Sequence, residues 1–152
     1  MSLRNLIIGV KNTGSQSVLT DGLINIGSPY RRYDKKCRNT ARFAFNETSN
    51  SISLQQEGIY HITAVIVGSG DVAGVVAVQL LEDGNVVDGV FSSQSITTPD
   101  TELRTFVLDY FVLVDKTCLL GCNSTVAKTI SLQNTGVEAT FTSVVVNVEK
   151  EV

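Results

Sequence analysis

Residues 64–84 read AVIVGSGDVAGVVAVQLLEDG, and the way this stretch folds decides the class of the whole chain. An apolar run meets Gly68-Ser69-Gly70-Asp71-Val72-Ala73, which has the G-x-G-x-x-A spacing of a dinucleotide-binding turn. Asp88 falls 20 residues after Gly68, near the place of a ribose-binding acid. Such a turn must open into a helix with one face on a sheet and the other in water. Beyond Asp71, only Gln79 is polar as far as Leu81, so a helix here would have no wet face. Val75, Val76 and Val78 are β-branched and favour extended backbone. The stretch therefore reads as a strand from Val75 to Leu81, a turn at Glu82-Asp83-Gly84-Asn85, and a return strand beginning at Val86-Val87. The glycines are expected to form a loop between two strands, and no cofactor is expected.

The composition agrees. The chain has 152 residues, enough for one domain with a proper core. Hydrophobic residues make up 43% and charged residues only 18%, too few for the wet faces of helices. A net charge of −3 offers no electrostatic case for nucleic acid. The basic cluster Arg31-Arg32 with Lys35-Lys36-Cys37-Arg38 reads as a solvated loop. The N-terminal apolar run spans five residues, shorter than a signal-peptide core, and no window approaches the ~20 apolar residues of a membrane helix. The expectation is a soluble chain made in the cytosol, with no membrane insertion. Cys37, Cys118 and Cys122 are odd in number and lack zinc-finger spacing, so reduced structural thiols are expected and no metal.

Along the chain, residues 1–15 form an arm or a first strand, and 16–152 the main domain. Residues 18–27 place Leu19, Leu23, Ile24 and Ile26 around a turn at Asp21-Gly22. SPYRRYDKKCRNT is a polar loop, and Arg42 to Phe45 a short strand. Ser51 to Leu54 alternates at period two, and Gln55 to Gly58 turns the chain into IYHITAVIV, residues 59–67. Leu103 to Val114 is a long strand, largely apolar on both faces: Thr105, Val107, Asp109, Phe111 and Leu113 on one, Arg104, Phe106, Leu108, Tyr110, Val112 and Val114 on the other. One of those faces needs a cover from outside the sandwich. Residues 126–133 and 139–149 complete eight to ten strands, joined through Asn134-Thr135-Gly136. The fold class is all-β, a two-sheet antiparallel jelly-roll sandwich.

Four segments carry a family resemblance. Ser51-Ile52-Ser53-Leu54 with Glu57-Gly58-Ile59-Tyr60-His61-Ile62 resembles a passage of the tumour-necrosis-factor-like and complement-globular-head superfamily. Gln79 to Val87 is similar to its central hairpin, Phe111 to Lys116 to a strand ending in an acidic turn, and Phe141 to Val146 to its last strand. The resemblance covers roughly residues 16–149 and is closest to short phage and bacterial members. It implies a homotrimer in which Tyr60, Ile62, Ala64 and Ile66 face the core, while His61, Thr63 and Val65 face neighbouring subunits. Phe106 and Thr140 or Phe141 are further axial candidates. A non-enzymatic virion structural protein is implied: capsid decoration, head fibre or spike knob, assembled in the host cytoplasm.

His61 is the single histidine. Three copies at an axis could bind an ion or respond to pH; the plainer reading is a hydrogen-bonded interface histidine. Leu6, Ile7, Ile8 and Val10 could anchor the chain to a capsid or tail protein by strand addition, and an internal first strand fits equally. The alternative function is a receptor- or carbohydrate-binding tip, with Tyr30, Arg31, Arg32 and Tyr33 in apical loops. Glu82, Asp83, Asp88, Asp100 and Glu102 read as turn-forming and solvating acids, and Asn46-Glu47-Thr48 and Asn123-Ser124-Thr125 as chance sequons.

Overall fold

The computed structural model describes residues 6–33, 45–117, 124–125 and 127–151. Cys37, Cys118, Cys122, residues 1–5, the run from 34 to 44 and Asn123 lie outside the described residues. The described strands are β1 (Leu6–Asn12), β2 (Gln16–Val18), β3 (Ser28–Tyr33), β4 (Phe45–Glu47), β5 (Ile52–Leu54), β6 (Gly58–Gly70), β7 (Gly74–Glu82), β8 (Asn85–Ile96), β9 (Arg104–Val114), β10 (Lys116–Thr117), β11 (Ser124–Thr125), β12 (Lys128–Asn134) and β13 (Ala139–Lys150). No helix occurs among them. One sheet runs β3-β1-β13-β6-β9, with β2 also on β13; the other runs β4-β5-β12-β7-β8. All named pairings are antiparallel, and β10 pairs β11 separately.

The valine stretch is pleated. β7 and β8 pair from Gly74↔Ile96 to Glu82↔Asn85. Asp83 (φ 53) and Gly84 (φ 79) turn between them with both residues left-handed, the requirement of a tight hairpin turn. Gly68 and Gly70 are not loop glycines: β6 continues through both, and the bend falls on Asp71 to Ala73. The physical reason is close approach. A Cβ on Gly68 would lie 2.6 Å from Cδ1 of Phe141 and 2.7 Å from the Thr140 carbonyl oxygen, at an irregular step in the β6–β13 register. The glycine spacing serves strand packing, where Phe141 occupies the space a side chain would need.

Alternation fills the sandwich. Tyr60, Ile62, Ala64 and Ile66 of β6 are fully buried, as are Val76, Val78 and Leu80 of β7. Each such burial contributes roughly 1.5–3 kcal/mol for the larger aliphatics. On β9 the buried set is Phe106, Leu108, Val112 and Val114. Phe106 meets Phe141 edge to face at 6.5 Å between ring centroids, and neither ring has exposed surface. Both therefore belong to the protomer core, a correction to their expected place at a subunit contact. β1 is likewise interior. It pairs with β13 on one side and β3 on the other, and Leu6, Ile8 and Val10 are buried. Strand addition needs a free edge, so these residues cannot anchor the chain that way.

Side chains tie the ends of the sandwich. Asn134 is fully buried; its Nδ2 donates to the carbonyls of Val18 and Val137 at 3.0 and 2.9 Å, and its Oδ1 accepts from Gly136 N–H. Asp71 accepts from Thr140 (2.6 Å) and Ser17 (3.0 Å), joining the β6–β7 bend to β13 and β2. Asp83 accepts from Thr129 N–H at 2.8 Å. Glu102 closes the connection from β8 to β9. Its Oε1 accepts from the Thr97 hydroxyl (2.5 Å), Thr97 N–H (3.1 Å) and Thr98 N–H (2.6 Å), while Oε2 pairs with Arg104 at 2.8 Å. The Thr97 hydroxyl bond first, then the Thr98 amide, lower its pKa from 4.5 to about 2.

Two outcomes follow from this packing. Gly68→Ala should destabilise the fold by about 1–3 kcal/mol, because backbone and a core ring must move; urea denaturation measures it. A depressed carboxylate stabilises the fold above its unfolded pKa and loses that effect as pH falls through the folded value. Glu102→Gln should therefore be less stable than wild type at pH 7. The gap should close between pH 4.5 and about 2, followed by denaturation across that range.

Candidate functional site

Among the described residues, the alternation that fills the core leaves the other face of the β3-β1-β13-β6-β9 sheet without a layer on it. Three cross-strand rows define that face. In the first, Tyr33, Ile7, Glu149, His61 and Phe111 lie opposite one another in turn. Arg31, Gly9, Asn147, Thr63 and Asp109 form the second. Lys11, Val145, Val65 and Val107 form the third. Beyond the first row, Ile59 faces Leu113. On β9, Val107, Phe111 and Leu113 are 54%, 57% and 52% exposed, so more than half of each apolar side chain meets solvent. Scattered surface apolar residues are ordinary; here Ile59, Leu113 and Phe111 lie together at one end of β6 and β9, and Val65 and Val107 pair beyond the polar Thr63–Asp109 row.

His61 sits inside this patch. Its ring stacks on Phe111 at 4.5 Å between centroids and 15° between planes. Nε2 contacts Oδ1 of Asp109, and Nδ1 lies 3.8 Å from Oε1 of Glu151. Thr63 and Val65 share the face with it. Asp109 is the partner that sequence spacing did not reveal, since 48 residues separate it from His61. Among the described residues no group of three or more metal-ligating side chains gathers.

The far end of the face has a different chemistry. Gly9 stands opposite Arg31, and the register steps between Gly9 and Val10 so that Tyr30 is the extra residue of a bulge. Tyr30 covers Gly9, where a Cβ would come within 2.7 Å of its ring and 2.8 Å of Oδ1 of Asn147. The Tyr30 hydroxyl donates to that Asn147 oxygen at 2.5 Å, and the Lys11 ammonium lies 5.2 Å from the Tyr30 ring centroid. These residues were expected in an apical loop; the structure puts them on strand β3. Arg32 alternates to the opposite side and binds Glu47 Oε2 (2.7 Å) and the Phe45 carbonyl (2.8 Å), joining the two sheets. It is committed to the fold, unlike exposed Arg31.

Solved structures share this architecture. The Eiger tumour necrosis factor of S. frugiperda superposes with a TM-score of 0.63 at 12% identity, over 98% of this chain and 94% of that one. The globular domain of zebrafish complement 1qA protein gives 0.59 at 8%, over 94% of each. PRD1 vertex protein P5 gives 0.52 at 14%, over 99% of this chain and all of that one. No protein-family model matches the sequence, and no curated protein does so. The fold is a tumour-necrosis-factor-like jelly roll.

Gly9 is the position where this face is most tightly built. Gly9→Ala should displace Tyr30 and its bond to Asn147 and cost about 1–3 kcal/mol in urea denaturation. Tyr30→Phe, which keeps the ring, should cost no more than about 1 kcal/mol.

Proposed function

We propose that this tumour-necrosis-factor-like jelly roll is a non-enzymatic structural protein of a phage virion. It assembles as a homotrimer in the host cytoplasm and is displayed as capsid decoration, head fibre or spike knob. The observation that carries the reading is the apolar side chains on the outer face of β6 and β9, where Val107, Phe111 and Leu113 stay more than half exposed in the single chain. Sheets bury such faces when they can, and association of identical copies buries this one. Full-length likeness to a vertex protein supports the virion setting. Attachment by strand addition through β1 is closed, since both of its edges are paired. The receptor-tip alternative gains nothing specific, because Tyr30 and Arg32 are both engaged within the fold.

Sedimentation velocity at micromolar concentration should give three times the chain mass. Val107→Asp should shift the population toward monomer, weakening association about tenfold or more, without lowering the melting temperature of the dilute single chain. A wild-type monomer at that concentration defeats the trimer. For the virion setting, particles made with and without this gene product are compared by electron microscopy. Loss of a surface feature is expected; its absence from purified particles refutes the assignment.

A further inference from the structure

We propose that the outer face of the β4-β5-β12-β7-β8 sheet holds a binding site for an uncharged sugar, built on Phe91 and Gln79. The site lies across the sandwich from the outer face of β6 and β9, and apart from Tyr30 and Arg31 on β3. Val78 and Leu80 are buried in the core, so Gln79 between them points outward. Gln133 of β12 and Phe91 of β8 stand opposite Gln79 on its two sides and share its direction. Ala77 and Ser93 form the next row, about 7 Å along the strands. Neither these two rows nor the rows before and after them carry a charged residue, in a chain that is 18% charged.

Two features make this face a site. Phe91 is 61% exposed on the last strand of the sheet, so one side of its ring is open to a ligand. Beside it, a relay of amides holds Gln79. Gln133 Nε2 donates to the Asp21 carbonyl at 3.0 Å, and Gln133 Oε1 accepts from Gln79 Nε2 at 2.7 Å. Gln79 Oε1 is left as a fixed acceptor, with no donor on it among the described residues. Because its rotamer is set in advance, a ligand that donates to it orders little further side chain. A pyranose has an apolar face of C–H groups and a rim of hydroxyls. The face covers the Phe91 ring, one rim hydroxyl donates to Gln79 Oε1, and another meets the exposed Ser93 hydroxyl, which both donates and accepts. Ala77 presents only a methyl group between them. An acidic ligand would lose hydration here and find no counter-charge. A purely apolar ligand would leave Gln79 Oε1 covered and unpaired. The chemistry therefore selects a neutral sugar.

The full chain is tested on an immobilised panel of neutral oligosaccharides and their uronic-acid counterparts, and the oligosaccharides that retain it are then titrated in solution by calorimetry. Retention on neutral members is expected. Phe91→Ala and Gln79→Ala should each weaken the titrated affinity about tenfold or more, whereas Arg31→Ala, on the other sheet, should leave it unchanged. Phe91 is exposed at a sheet edge, so Phe91→Ala should melt with the wild type, and its loss of binding is then not a loss of fold. No retention, retention on the acidic members alone, or binding that survives both Phe91→Ala and Gln79→Ala overturns the site. Each copy carries the whole site, so the result is independent of whether the chain sediments as a monomer or a trimer.

Discussion

The structure depends on one constraint: successive side chains of β6 and β9 must point to opposite sides of a single sheet. The side carrying Tyr60, Ile62, Ala64, Ile66 and Phe106 meets the second sheet and forms the core. The other side carries Ile59, Val65, Val107, Phe111 and Leu113, and no second sheet of the described residues packs on it. In most sandwiches that outer side is polar. Here one strand supplies a core and a second apolar surface together, and the surface is a consequence of residue choice at alternate positions. The proposed association would thus use the same two strands that build the core.

The polar residues on that surface are placed with some economy. His61 stacks on Phe111 and contacts Asp109, so the histidine and its acid partner interrupt the apolar rows without standing alone. Asn147 and Tyr30 hydrogen-bond across β13 and β3, and Lys11 lies over the tyrosine ring. The face therefore carries Arg31 with Tyr30 and Tyr33 at β3, and the apolar Val107, Phe111 and Leu113 with Asp109 among them at β9. At the glycine-rich bend, Asp71 binds Thr140 and Ser17, and Phe141 fills the space over Gly68.

Several features were legible in the residues because they depend on neighbours in the chain. The β7–β8 hairpin was signalled by β-branched residues before Asp83-Gly84, whose backbone must turn left-handed. The core face of β6 was legible through period two and the family resemblance. Both faces of β9 were recognised as apolar. Which one lies inside was not, because shifting a register by one residue exchanges the faces without changing the sequence pattern. Phe106 was accordingly assigned outward, and pairing of Ile66 with Phe106 against the second sheet puts it inside. The same limit applied to Leu6, Ile8 and Val10, whose apolar character suits an arm or a central strand equally.

By itself, then, the sequence determined the strand class, the tight turns and the presence of more apolar surface than one sandwich can bury, since these follow from composition and local backbone preference. Tertiary structure alone decided the long-range matters. It brought Asp109 to His61 across 48 residues, sent Arg31 and Arg32 to opposite sides of β3 and put a bulge at Tyr30, and made a strand end of the glycines beside Phe141. Each of those depends on register between distant strands. Register is set by the combined fit of two sheets, which no local window of residues contains.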